Sequence, residues 1–262
     1  MRLRIQVSTF CFLLLNSFSL LAQKQFITSF DGVRIAYLDE GEGPAVILLH
    51  GFINTADSWS DSVLKKELLS KGFRLIIPDL RGNGDSDKPQ LDSAYKDDAE
   101  IRDLLLLADT LRLKKYSAVG YSRGSIVLAK LLTIDKRIEK AVLGGMGLDF
   151  SNPNWDRKQM FAAAFNGKTS PETQGAVDYA KSIGADLRSL HLQQKHQPVT
   201  AVNELSKIKA QILVIAGDRD KDNGEPETLR DAIPKSSLHI VSGDHNGTYK
   251  KEEFATAILQ FL

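Results

Sequence analysis

Cysteine is nearly absent from this chain: of 262 residues, only Cys11 carries a thiol. It lies in an N-terminal stretch that reads as removable, so the mature chain is expected to have no cysteine and no disulfide. That is compatible with an oxidising compartment without demanding one. An excess of charge is missing too. Lys and Arg number 34 against 33 Asp and Glu, a formal charge of +1. Without a basic surplus, nothing points to nucleic acid or an anionic membrane as partner. There is no internal repeat and no low-complexity tract. Nor is there an uninterrupted apolar run of membrane-spanning length. Val7 to Ala22 is the nearest to one, and Asn16, Ser17 and Ser19 break it.

What that N-terminus does contain is the pattern of an export signal. Arg2 and Arg4 precede the apolar stretch, and Ala22-Gln23 is a candidate cleavage junction, although Leu20 is a poor residue two positions before Ala22. Residues 1–22 are therefore expected to be a signal peptide directing a periplasmic or extracellular protein, with no stable membrane span left afterwards. Cleavage removes Arg2 and Arg4, so the 34 basic residues become 32 against 33 acidic ones. Cys11 sits at the start of the apolar run, which argues against a lipoprotein site.

The chain of 262 residues, 42% of them hydrophobic, is long enough to bury one large core. Gln25 to Phe30 and Val33 to Leu38 read as strands joined at Asp31-Gly32, a hairpin dipeptide. Ala45 to His50 is a continuous apolar run, as in a strand buried on both faces of a parallel sheet. Helical spacing follows over Ala56 to Ser70, and then a strand over Phe73 to Ile77. Asp97 to Leu113 carries an apolar stripe of Ile101, Leu104, Leu105, Leu107, Ala108 and Leu111. Strands at Lys115–Tyr121, Ile138–Leu143, Gln211–Ala216 and Leu238–Val241 alternate with helices at Arg123–Ile134, Pro226–Ile233 and Lys250–Leu262. Such alternation implies a doubly wound, mostly parallel α/β sheet. Between about 149 and 206 the rhythm stops. That stretch, with Trp155, Met160, Phe161 and Phe165, reads as an inserted helical cap whose aromatics either line a pocket or pack as its core.

The glycine-rich loop Asp79 to Pro89 is not a phosphate loop, because no helix opens at a Gly-Lys-Ser/Thr turn. The chemistry is expected instead at Gly120-Tyr121-Ser122-Arg123-Gly124, where an apolar strand turns sharply into an apolar helix. A Gly-x-Ser-x-Gly turn lifts its serine clear of the backbone, and the helix N-terminus directs unpaired N–H groups toward an oxyanion. Ser122 is the candidate nucleophile.

A serine needs a base, and the base needs an orienting carboxylate. His191 and His196 fall in the expected cap, and His239 falls within a strand. His50 lies at a strand end, beside a glycine in a loop suited to donating backbone N–H groups. His245, in the loop after the last strand, is the candidate base. Asp218 and Asp220 follow the penultimate strand, at the sheet edge where open α/β folds place ligands. Asp220 is preferred, because Asp218 is close enough to the strand to be held in turn hydrogen bonds. Asp149 is an outside candidate, and Asp244 reads as a turn cap. Arg81 reads as a structural tie within its loop, and the Arg123 side chain as solvated or salt-bridged.

With His50-Gly51-Phe52, Asp79-Leu80-Arg81-Gly82-Asn83-Gly84-Asp85-Ser86, the elbow, Gly217-Asp218-Arg219-Asp220 and Gly243-Asp244-His245, the chain resembles the α/β-hydrolase superfamily over most of its length past residue 22. The resemblance implies the α/β-hydrolase fold, an oxyanion hole from the backbone N–H groups of Phe52 and Arg123, and Asp220 as the acid. Two positions depart from it: Asn83 stands where many relatives have histidine, and Ser125 where many have glycine. Epoxide- and halide-processing relatives use a carboxylate nucleophile, so Ser122 argues for acyl transfer on an ester-like bond of a small molecule. Carbon–carbon hydrolysis, lactone hydrolysis, thioester hydrolysis and perhydrolysis fit the same triad. A ligand-binding protein of this fold with little turnover is the alternative of another class. No metal or organic cofactor is called for.

Overall fold

The computed structural model describes residues 23–262; the expected signal peptide at 1–22 lies outside the described residues. The chain forms β1 (Gln25–Thr28), β2 (Arg34–Glu40), β3 (Ala45–Leu49), α1 (Val63–Ser70), β4 (Arg74–Pro78), α2 (Ala99–Thr110), β5 (Tyr116–Tyr121) and α3 (Arg123–Ile134). It continues through β6 (Ile138–Gly144), α4 (Asp156–Phe165), α5 (Pro171–Ser182), α6 (Leu187–Lys195) and α7 (Val202–Leu205). Last come β7 (Gln211–Gly217), α8 (Pro226–Ala232), β8 (Ser236–Val241) and α9 (Glu252–Phe261). The eight strands form one sheet in the order β1-β2-β4-β3-β5-β6-β7-β8. β2 pairs antiparallel with both β1 and β4, and every pair from β4 to β8 is parallel.

The apolar runs make this architecture because successive strand residues point to opposite faces, and each face is covered. Ile47, Leu49, Ala118, Leu143 and Val214 join one core with residues of α2, α3 and α8. Val46, Leu48, Val119, Val142 and Leu213 join the other, beneath α1 and α9. At about 1.5–3 kcal/mol for each fully buried large aliphatic side chain, both faces must be filled for the sheet to persist. β8 has a neighbour on one side alone, and accordingly leaves His239 and Ile240 exposed.

Two expected helices are shorter than their patterns. Ala56 to Ser70 is interrupted: a 3₁₀ turn at Ala56–Trp59 ends before Ser62, whose hydroxyl accepts from the Lys65 N–H and caps α1. α2 begins at Ala99 because Asp97 and Asp98 take left-handed φ values of 54° and 53°, which a helix cannot include. The stretch between β6 and β7 is helical, as α4 to α7. Ala164, Phe165, Val177, Ala180 and Leu190 from α4, α5 and α6 form a third, smaller core with Ile53 of the loop after β3.

Candidate active site

The strands end in loops that converge at the carboxyl edge of the sheet. At the end of β5, Ser122 has φ 53° and ψ −124°, a conformation that L residues rarely adopt. The surroundings enforce it. The Ser122 N–H donates to Gly144 O at 2.8 Å, and Ser122 O accepts from the Ser125 N–H at 2.8 Å. The glycines around it are needed for close approach: a Cβ on Gly120 would lie 2.5 Å from Gly124 O, and one on Gly124 would lie 2.4 Å from Leu49 O. Ser125, a departure from the family pattern, uses its hydroxyl to tie β5 to β6, donating within reach of Gly120 O at 2.9 Å and Gly144 O at 2.8 Å.

Ser122 Oγ is 2.9 Å from His245 Nε2, and His245 Nδ1 is 2.9 Å from Asp220 Oδ2. The three expected residues thus form one continuous hydrogen-bonded chain, although they come from loops after β5, β7 and β8. Asp220 is buried, which shields its carboxylate for the imidazole. Asp218 is held by the loop after β8 rather than by bonds within its own turn: its carboxylate accepts from the Gly243 N–H at 2.8 Å. Asp244 caps the next turn by accepting from the Gly247 N–H at 2.7 Å.

Phe52 and Arg123 border the same cavity as Ser122. A Cβ on Gly51 would come 3.4 Å from the Ser122 Cβ, so the loop after β3 lies directly against the serine. Arg123 is the first residue of α3, where a backbone N–H has no acceptor within the helix. Its side chain is not solvated. It is buried in a two-point ion pair with Glu100 of α2, at 2.9 and 2.5 Å, and also donates to Gln193 O.

The remaining histidines stand apart from this chain of bonds. His50 is fully buried; its Nδ1 faces Gly51 O at 2.9 Å and its Nε2 accepts from the Leu80 N–H at 3.1 Å. Both contacts suit the neutral ring with its proton on Nδ1, and burial holds its pKa below the ordinary value. His191 Nδ1 faces Ala162 O, and His196 pairs with Asp92. Arg81 is the loop tie expected of it, bound to Asp103 and Asp31. Asn83 accepts from the Gln193 amide.

Sequence reasoning missed Asn223, whose amide donates to Gly145 O at 3.0 Å and lies 3.4 Å from both imidazole nitrogens of His245. Its place three residues past Asp220 in a strand-end loop was the one available signal. It also missed Tyr121, whose hydroxyl donates to His245 O at 2.7 Å. The elbow therefore carries both the serine and an anchor for the loop of its partner. Of the cap aromatics Trp155, Phe161 and Phe165, the first two line the cavity, whereas Phe165 packs edge-on against Phe52 at 5.2 Å in the third core. The cavity is about 220 Å³.

A family model described as the alpha/beta hydrolase fold matches residues 44–165. The chain has the α/β-hydrolase fold, and the matched residues, 44–165, include Phe52, Ser122 and Arg123. Epoxide hydrolase 3 of Siraitia grosvenorii is 38% identical over 97 residues, 37% of this chain and 30% of that one, so the chain spans about a third of that relative's length. Similarity to the non-heme chloroperoxidase CPO-A1 of Kitasatospora aureofaciens is 28% identity over 273 residues, covering 90% of this chain and 98% of the other. An esterase structure from Exiguobacterium antarcticum superposes with a TM-score of 0.77 at 21% identity, over 91% of this chain and 99% of that one. At that identity the likeness carries the fold alone. Proteins similar to this chain thus carry different chemistries, and what distinguishes among them here is the residues of its own site.

Proposed function

We propose that the chain is a serine hydrolase that cleaves an ester-like bond of a small molecule through an acyl-enzyme on Ser122. The observation that carries the reading is the pair of 2.9 Å contacts joining Ser122 Oγ, His245 and Asp220. His245 Nε2 takes the hydroxyl proton as Oγ attacks the carbonyl carbon. The Asp220 carboxylate holds the proton on Nδ1, fixing the tautomer in which Nε2 is free to accept. The backbone N–H groups of Phe52 and Arg123 stabilise the tetrahedral oxyanion, each such donor typically lowering the barrier by about 3 kcal/mol. The alcohol leaves with the proton that His245 carries. Water, deprotonated by His245, then releases the acid and restores the Ser122 hydroxyl. Helices α4, α5 and α6, which bring Arg157, Phe161, Ala176 and Gln194 to the cavity wall, act as its cap.

Epoxide hydrolysis by this route is disfavoured on chemical grounds. Serine opening an epoxide would form an ether, which water does not cleave, whereas a carboxylate nucleophile forms an ester that it does. Perhydrolysis fits the same acyl-enzyme, with hydrogen peroxide replacing water in the second step, and the end-to-end similarity to a chloroperoxidase supports it as the second reading.

The test is hydrolysis of a short-chain 4-nitrophenyl ester series by residues 23–262, beside Ser122→Ala and His245→Ala. Wild type is expected to turn over, and each variant to lose at least about 10³-fold in kcat while keeping its circular dichroism. A folded wild type no faster than Ser122→Ala overturns the reading. Including hydrogen peroxide and measuring peracid separates the two acceptors.

A further inference from the structure

Among the described residues, the cavity next to Ser122 holds one arginine whose charge is not matched by a tight partner. Arg123 also borders the cavity, but Glu100 neutralises it with two hydrogen bonds. Arg157, in the first turn of α4, differs. Its nearest carboxylate is Asp222, with Oδ2 3.8 Å from Nη2, beyond hydrogen-bonding distance. That carboxylate is about half exposed, so water screens the attraction. The guanidinium is nonetheless placed: its centre stands 4.9 Å from the centroid of Phe161, itself a cavity residue, and its side chain is less than a third exposed. A flat cation with most of its donors unused, held over an aromatic face and bordering the reaction cavity, is built to receive a planar anion through two parallel hydrogen bonds. Burial depresses the Arg157 pKa, so its charge is partly desolvated before any ligand arrives. Gln194, Gln197 and Asn223 add neutral donors to the same cavity wall, on which Asp222 is the one carboxylate among the described lining residues.

Building on the serine-hydrolase reading, we infer that the substrate carries a carboxylate, and that Arg157 binds it while Ser122 attacks an ester-like bond elsewhere in the same small molecule. Arg157 is thus a specificity-determining residue. The small cavity keeps the two groups of the substrate within a few bonds of each other. Asp222 moves to solvent as the substrate carboxylate takes its place.

Matched ester pairs test this. 4-Nitrophenyl hydrogen succinate and glutarate, with the acid on the acyl side, are compared with 4-nitrophenyl butyrate and valerate; 4-acetoxybenzoate, with the acid on the alcohol side, is compared with phenyl acetate. At least one acidic ester should exceed its neutral partner in kcat/KM by tenfold or more, about 1.4 kcal/mol. That ratio should fall close to one in Arg157→Gln and keep an intermediate value in Arg157→Lys, chiefly through KM. Titration of the same acidic esters into Ser122→Ala and into Ser122→Ala/Arg157→Gln reads binding without turnover, and the double variant should bind at least tenfold more weakly. Equal affinity of those two variants overturns the role of Arg157, whether or not wild type turns the esters over. So does an acidic-ester preference that Arg157→Gln retains. Loss of turnover with the binding difference intact overturns ester hydrolysis and leaves the carboxylate site standing.

Discussion

At the residue scale, the strain at Ser122 and the protonation of His50 are the measurable features. Holding an L residue at φ 53° and ψ −124° costs of order 1–3 kcal/mol, and the packing of Gly120 and Gly124 leaves no other course for the chain. Ser122→Gly should therefore be more stable than Ser122→Ala by about 1 kcal/mol in urea unfolding; equal midpoints would mean the turn is relaxed. His50 gives a pH dependence whose sign follows from its depressed pKa. Well above the ordinary histidine pKa of about 6.5, both folded and unfolded histidine are neutral, and the residue contributes no slope. Below it the unfolded state binds the proton first, so stability falls as pH falls toward the folded-state pKa. Between pH 6.5 and 5, wild type should lose stability more steeply than His50→Gln; parallel curves would contradict a neutral buried ring. Ser122, Asp220 and His245, which the structure joins by two hydrogen-bond contacts, could be picked out at this scale because each sits in a short motif at the end of a strand. Arg157 and Asn223 were not, since their roles depend on where α4 and the loop after β7 come to lie, which no local pattern encodes.

At the element scale, the Arg123–Glu100 pair ties α3, which opens at the elbow, to α2. Both groups are buried, so removing one partner leaves an uncompensated charge. Glu100→Gln and Arg123→Met should each lose about 3–5 kcal/mol in denaturant unfolding, and the double Glu100→Met/Arg123→Met should lose clearly less than the sum. Additive losses would show that the two side chains act independently. Of the two expectations for the Arg123 side chain, solvated or salt-bridged, the structure shows the second, and its partner could not be read from sequence because it lies 23 residues earlier on another helix. Periodicity located nearly every element and misplaced the ends where polar residues intervene. Ser62 begins α1 as a cap, and Asp97 and Asp98 turn the chain before α2, in segments whose apolar spacing alone looks continuous.

At the scale of the whole molecule, alternating strands and helices implied a doubly wound sheet, whereas the strand order did not follow from alternation. Placing β4 between β2 and β3 depends on which crossovers pack, a tertiary outcome. The same order brings the ends of β3, β5, β7 and β8 to one edge, so that residues as far apart as Phe52 and His245 share a cavity. The sheet supplies rigidity, and the loops at its carboxyl edge carry the residues proposed to do the chemistry. The most direct test of the central claim is intact-mass analysis of residues 23–262 after exposure to diethyl 4-nitrophenyl phosphate, which phosphorylates an activated serine and releases nitrophenol. We predict one diethylphosphoryl group per chain, on the peptide containing Ser122, with none on Ser122→Ala and slow addition to His245→Ala. A folded wild type that gains no adduct, or gains it at another residue, would contradict an activated nucleophile at Ser122.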